Sequence, residues 1–257
     1  MAMDELERLA ANAETLLQEG YYDVPRSETR SPSLLGALGA ANRTSDVIAE
    51  IKFASPTMRS EKDPAEFDSL LDRIAGAKPL GLSILTEPRI FRGQLDWLRR
   101  AARTGVPVLM KDIVVDLRQI AAAASCGAAA VLLIETLARR GHLHSSRQAL
   151  IGEAHSRDLD VVLEVHTLAE WDAAIESDAD ILGINNRDLA TMEIDVGTTP
   201  RILADRAKDR PVIAMSGIET RPQVEAMLRA GANAVLVGTS IMRHEDPARK
   251  LEELWHG

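Results

Sequence analysis

The sequence predicts an α/β fold, a (β/α)8 TIM barrel with an N-terminal helical extension, on three observations. Short β-branched apolar runs alternate eight times with amphipathic helical segments. Successive runs begin roughly 20–33 residues apart, the length of a βαβ step. No Gly-x-Gly-x-x-Gly turn follows the first run, which counts against an open dinucleotide-binding sheet, the runner-up architecture. The 257 residues are therefore read as a single domain, 1–46 forming the helical extension and 47–257 the barrel.

Taken in order, Leu6, Leu9, Ala13, Leu16 and Leu17 recur at helical spacing from Asp4 onward, and Gly20 ends that helix. A polar, proline-flanked segment over 23–32 leads to a second short helix near 33–41. Strands are predicted at 47–52, 80–85, 107–111, 129–134, 161–165, 180–184, 211–216 and 234–238. The helices between them start near Pro64, Gln94, Asp116, Ser145, Leu168, Thr198 and Thr220, with a last one from Pro247. Runs this apolar suit strands covered on both faces, hence a parallel sheet with helices outside.

Composition narrows the function classes. A hydrophobic fraction of 46% and a charged fraction of 27% are ordinary for a globular protein. A formal net charge of −9 argues against nucleic acid as a partner, but leaves room for a small phosphate ester held on backbone amides. Cys126 is the single cysteine, which excludes an internal disulfide and a thiolate metal cage; its alanine-rich setting suits a small core residue. The N-terminus lacks a basic leader with an apolar centre, and no run approaches 18 apolar residues. A cytoplasmic protein without membrane contact is expected, with a monomer favoured.

The C-terminal strand ends of such barrels carry the active site. Here they read Glu50 and Lys52; Ser83 and Thr86; Lys111 and Asp112; Glu135; Glu164 and His166; Asn185, Asn186 and Arg187; Ser216 and Gly217; then Gly238, Thr239 and Ser240. Glu50 and Lys52 project from one face of a strand whose other face is apolar, and burying such a pair costs several kcal/mol per ion, on the order of magnitude of a whole domain's spare stability. Cations and carboxylates converging on one mouth support acid–base work on an anionic substrate. A strand-end lysine also forms Schiff bases, so Lys111 fits either an acid or a nucleophile. The glycines after the seventh and eighth strands lie where barrels often hold a phosphate. His142 and His144 lack an obvious third ligand, so no metal site is expected. Trp97, Trp171 and Trp255 occupy apolar helix positions and are read as packing residues.

These strand ends, in this order, resemble the indole-3-glycerol phosphate synthase family over roughly 31–254. The resemblance rests on Ile48-Ala49-Glu50-Ile51-Lys52 with Ser55-Pro56, Gly81-Leu82-Ser83-Ile84-Leu85-Thr86 with Phe91, and Pro107 to Asp112. It continues through Leu163-Glu164-Val165-His166, Gly183 to Leu189, Ser216-Gly217-Ile218 and Gly238 to Met242. It implies a decarboxylating ring closure of 1-(2-carboxyphenylamino)-1-deoxyribulose 5-phosphate in tryptophan biosynthesis, with no metal or organic cofactor. Lys111 would be the general acid on the ketone and Glu164 the base or second acid in dehydration. Lys52 would hold the substrate carboxylate, assisted by Arg187, with Glu50 and Asn185 positioning. Ser216, Gly217, Gly238 and Thr239 would take the phosphate, and Ser55 and Phe91 would line the site. The chain departs from the family pattern at Thr57-Met58-Arg59, at Ile113 in place of phenylalanine, and at Met215 in place of glutamate. Losing the aromatic at 113 forgoes roughly 0.5–1.5 kcal/mol of stacking. Two other readings compete: a sister sugar-phosphate barrel enzyme (a Schiff-base aldolase or isomerase), and a non-catalytic phosphate-binding subunit.

Overall fold

Eight parallel strands close into a barrel in the structure, a computed structural model that describes residues 3–55, 58–59 and 62–255. Pro56 and Thr57 lie outside the described residues, as do the side chains of Met58 and Arg59. The strands are β1 (Val47–Ile51), β2 (Gly81–Leu85), β3 (Val108–Lys111), β4 (Ala130–Ile134), β5 (Asp160–Val165), β6 (Ile181–Asn185), β7 (Val212–Met215) and β8 (Ala234–Val237). Each pairs with its neighbours in sequence, and β8 returns to β1 through Val47↔Val235 and Ile48↔Leu236. Closure removes the sheet edges and buries both faces, so nearly every strand residue is buried; only Asp160 and Lys111, at opposite ends, are partly accessible. The strands predicted from periodicity agree with these bounds to within one residue at either end.

Twelve α-helices accompany the strands among the described residues. They are α1 (Glu5–Gln18), α2 (Leu34–Gly39), α3 (Phe67–Gly76), α4 (Leu95–Ala102), α5 (Leu117–Ser125), α6 (Glu135–Arg139), α7 (Arg147–Ser156), α8 (Leu168–Ile175), α9 (Thr198–Asp205), α10 (Arg221–Arg229), α11 (Thr239–Arg243) and α12 (Pro247–Trp255). Helix starts are written into the sequence as caps. Asp4 with Glu7, Asp116 with Gln119 and Thr167 with Glu170 each form a reciprocal capping box, the side chain of one bonding the backbone of the other. The unpredicted pieces are α6, α11 and a hairpin of Ala54–Ser55 against Met58–Arg59. They are two to five residues long, too short to display a period.

The N-terminal extension is tied to the loops at the barrel mouth. Leu6, Leu9, Ala13, Leu16 and Leu17 are buried. Beside this apolar stripe, Asn12 Nδ2 donates to Glu87 Oε1 at 2.9 Å and the Tyr21 hydroxyl donates to the Thr86 carbonyl at 2.7 Å. The Tyr22 hydroxyl donates to Asp112 Oδ2 at 3.2 Å, and Thr86 Oγ1 donates to the same oxygen. Burial raises the Asp112 carboxyl to about 6, the hydrogen bonds from Thr86, Ile113 N and Tyr22 offsetting only part of the cost. Glu87 is buried and accepts from the backbone N–H groups of Arg89, Ile90 and Phe91 at 2.6–2.8 Å, so it shapes the loop that carries Phe91. Cys126 is buried and its thiol is pushed up to about 11 by desolvation, in keeping with a core residue. Phe67 stacks on Trp97 with ring centroids 4.4 Å apart, and Trp171 is fully buried; both tryptophans pack as expected. No described helix is long and apolar enough to cross a membrane.

Candidate active site

At the C-terminal end of the strands lies a cavity of 220 Å³. Every residue given a role by the family resemblance lines it: Glu50, Lys52, Ser55, Phe91, Lys111, Glu164, Asn185, Arg187, Ser216, Gly217, Gly238 and Thr239. The barrel explains the convergence. Side chains alternate along each strand, so in every strand one of the last two positions points inward.

Alternation also corrects the expectation for Glu135. Leu132 and Ile134 line the cavity, so the next residue turns outward. Glu135 opens α6 instead and pairs with Arg147 at 2.5 Å behind the barrel wall. Ser83 and Thr86 likewise stay out of the cavity, Thr86 serving Asp112. Asn186 is absent from the lining but acts on it: its Nδ2 donates to the Ser216 carbonyl at 3.0 Å and its Oδ1 accepts from Thr199 Oγ1 at 2.8 Å. His166 lies just past β5 and opens into a smaller neighbouring cavity.

The charged groups divide into paired and free. Lys52 Nζ lies 2.7 Å from Glu50 Oε1, with the glutamate side chain 5% and the lysine 16% exposed. Burial raises the Glu50 carboxyl, but the charges of Lys52, Lys111 and Arg187 outweigh it and hold the carboxyl below its ordinary value. Glu50 is thus a fixed anion that anchors Lys52. Lys111 makes no ion pair or side-chain hydrogen bond among the described residues, although its charge reaches both Glu50 and Glu164.

Glu164 is different from Glu50. Its Oε1 accepts from Asn185 Nδ2 at 2.8 Å, while its buried Oε2 has no partner among the described residues. Desolvation raises its carboxyl above the ordinary value, against the pull of Lys111 and Asn185 and with help from Glu170 and Glu50. Asn185 Oδ1 in turn accepts the Arg187 backbone N–H at 2.9 Å, which fixes which way the amide faces. The Arg187 guanidinium donates to the Met192 carbonyl at 3.2 Å, and partial burial lowers its pKa, offset by Glu50.

Two glycines are dictated by geometry. Ser216 and Gly217 are consecutive left-handed residues, with φ of 70° and 74°, and the turn they make brings 216–219 to the cavity wall. A Cβ on Gly217 would stand 2.6 Å from Ile194 Cγ2 and 2.8 Å from Val196 Cγ1. A Cβ on Gly238 would stand 2.6 Å from Glu50 Oε1 and 3.0 Å from Glu50 Cβ. Gly238→Ala is therefore expected to push Glu50 off Lys52. A displacement of this kind costs roughly 10²-fold in activity. The check is kcat/KM beside the melting temperature, and both should fall, because the displaced pair is buried.

Beyond Asp112, Glu219 and Arg243, the rest of the lining is apolar and includes Leu9 from α1, Leu85, Ile113, Leu132, Ile134 and Met215. Met215 is 2% exposed and fills the space over Gly183, whose hypothetical Cβ would meet its Cε at 2.4 Å. The sequence marks Ile113 and Met215 but not Leu9, nor Met192 and Ile194 from the loop after β6. The exposure of Ile194, 45%, shows why: nothing in a polar loop marks one apolar residue as a cavity wall.

The profile of the indole-3-glycerol phosphate synthase family matches residues 4–254. The indole-3-glycerol phosphate synthase of Albidiferax ferrireducens is 38% identical over 213 residues, covering 81% of this chain and 78% of that protein. That of Dehalococcoides mccartyi is 35% identical over 245 residues, covering 93% and 90%. That of Methanocaldococcus jannaschii is 37% identical over 213 residues, covering 80% and 76%. Among solved structures, a thiamine phosphate pyrophosphorylase from Pyrococcus furiosus superposes with a TM-score of 0.56 at 18% identity, over 81% of this chain and 92% of that one. Native KDPGal superposes with a TM-score of 0.57 at 17% identity, over 81% and 91%. At such identities these two likenesses concern the fold alone. The family profile spans the barrel and the extension, and with these relatives it shows that the chain belongs to the indole-3-glycerol phosphate synthase family.

Proposed function

We propose that this protein is an indole-3-glycerol phosphate synthase that closes the pyrrole ring of 1-(2-carboxyphenylamino)-1-deoxyribulose 5-phosphate, releasing indole-3-glycerol phosphate, carbon dioxide and water. One observation supports it above others: a single cavity holds an unpaired lysine, Lys111, and a buried acid with one free oxygen, Glu164. Two protons have to reach oxygen in this reaction, one at the ketone as the aryl carbon attacks and one at the hydroxyl that leaves. One proton comes back from the methylene carbon as the indole forms.

Lys111 gives the first proton to the ketone oxygen. Loss of carbon dioxide then restores the aromatic ring. Glu164, which burial favours in its neutral form, gives the second proton to the departing hydroxyl. Lys111, left neutral by the first transfer, takes the methylene proton. Lys52 binds the substrate carboxylate with Arg187 beside it, and Glu50 and Asn185 hold Lys52 and Glu164 in place. The phosphate lies against the backbone of Ser216, Gly217, Gly238 and Thr239. Ser55 and Phe91 close the mouth, and the apolar floor of Ile113, Leu132, Ile134 and Met215 takes the aromatic ring. Local cations hold a trianionic substrate despite the acidic whole. The chain works as one cytoplasmic domain, 1–46 being the extension and 47–257 the barrel.

The purified protein, given this substrate, is expected to generate indole fluorescence and carbon dioxide in equal amounts. Absence of both, with an established synthase active in the same assay, overturns the proposal.

A further inference from the structure

A second cavity, of 120 Å³, lies between the loops after β5 and β6 and shares Glu164 and Arg187 with the first. Its other polar walls are Thr136, Arg140, His166, Thr167, Glu170 and Asp188. Glu164, near the end of β5, and His166, just past it, both line this cavity. A polar cavity of this size holds several waters.

Among these groups His166 is set apart. Its Nδ1 lies 2.7 Å from the Asn185 carbonyl oxygen. A carbonyl only accepts, so Nδ1 carries a proton and the neutral ring keeps Nε2 as its acceptor. Nε2 has no partner among the described residues. The neighbours are committed elsewhere. Glu170 accepts from Thr136 Oγ1 at 2.6 Å and from the backbone N–H groups of His166 and Thr167. Arg140 is paired with Asp4, and Asp188 Oδ1 accepts the Ala190 N–H at 2.7 Å. Asp195, ion-paired to Arg201 at 2.8 Å, is near enough to feel the His166 charge.

The proposed reaction creates a need for such a group. A trianionic substrate becomes a dianionic product with carbon dioxide and water, so one proton enters from solvent in every turnover. We infer that the cavity between the β5 and β6 loops is the proton-entry port of the active site, and that His166 relays the proton to Glu164 Oε2. This inference rests on the synthase reading above. The protonated ring gives its Nε2 proton through a cavity water to the Glu164 carboxylate left by dehydration. The neutral ring keeps its Nδ1 proton on the Asn185 carbonyl and takes the next proton from solvent at Nε2. One proton enters by His166 and leaves in the product water.

The test is His166→Asn, whose amide preserves a donor for the Asn185 carbonyl but cannot relay. Turnover of the ribulose phosphate substrate is measured against added imidazole, with melting temperature as the control. Turnover is expected to fall about tenfold or more with KM unchanged, within the range for a lost proton-transfer group, and imidazole restores it. The parent does not respond to imidazole. If His166→Asn does not fold, His166→Gln, which offers an acceptor near the Nε2 position but does not titrate, is expected to behave in the same way. The relay is overturned by turnover close to the parent's, or by a loss that imidazole leaves unchanged in a variant melting like the parent. A parent that makes no indole product overturns the synthase reading and the relay together; an active parent with imidazole-insensitive variants overturns the relay alone.

Discussion

Glu164→Gln is expected to lower kcat by roughly 10²–10⁴-fold while leaving KM within a small factor. Glutamine keeps an oxygen for Asn185 Nδ2 but has no proton to give the departing hydroxyl. The same substitution is expected to stabilise the fold, and the sign follows from linkage. The Glu164 carboxyl is raised above its ordinary value of 4.5, first by desolvation. The parent's stability relative to the unfolded chain is therefore full below that value and is lost as pH rises through the folded pKa. Glutamine carries no such cost, so its advantage in melting temperature should be absent in acid and grow toward neutrality. Glu50→Gln should do the reverse, because the Glu50 carboxyl is held low and contributes stability that disappears in acid. Opposite pH trends from two carboxylates in one cavity separate the proton carrier from the structural anion. Parallel trends would contradict a division of roles between Glu164 and Glu50.

The barrel was readable because its strands are short, apolar and separated by helices whose starts are marked. Asp116-Leu117-Arg118-Gln119 and Thr167-Leu168-Ala169-Glu170 announce their capping boxes in the sequence itself. The elements that escaped are those with no period to show, α6 and α11, which begin within two residues of a strand end. Glu135 shows the consequence. Read as the end of a strand, it pointed into the mouth; read as the first residue of α6, it points to Arg147.

The polar half of the site was legible for a different reason. Charged and amide groups at the ends of apolar strands are expensive unless they meet one another, so Glu50, Lys52, Glu164 and Asn185 advertise a common destination. The apolar half advertises nothing. Leu9 sits on α1 at a position indistinguishable from Leu6 or Leu16, and only docking of the extension onto the mouth makes it a wall of the cavity. Glu87 is the strongest omission, since one buried carboxylate accepting three consecutive backbone N–H groups fixes the loop bearing Phe91. Its sequence signal was present in Glu87-Pro88-Arg89, an acid before a proline turn, but charge at a loop start usually means solvent exposure.

Lys111→Met is expected to reduce turnover by orders of magnitude with little change in melting temperature. Of the two lysines at the mouth it is the one with no ion pair among the described residues, so its removal breaks no salt bridge. Removal of Lys52 is a different experiment, because it leaves Glu50 without its salt-bridge partner at 5% exposure, a broken buried pair costing about 3–5 kcal/mol. Stability therefore distinguishes the two lysines before any kinetics. Chemistry then distinguishes the two roles open to Lys111. As an acid it shuttles a proton and forms no bond to carbon; as a nucleophile it forms an imine with the substrate ketone and expels water. Borohydride added during turnover would reduce such an imine to a stable secondary amine and add the ketose phosphate to the mass of the chain. No mass increase at Lys111 is expected. Within the acid role, Lys111 begins each cycle charged and finishes the first transfer neutral beside Glu50 and Glu164, whose carboxylates feel its charge. Its loss from that position should let the Glu50 carboxyl rise toward its ordinary value, and the acid limb of the Glu50 stability profile should shift upward in Lys111→Met.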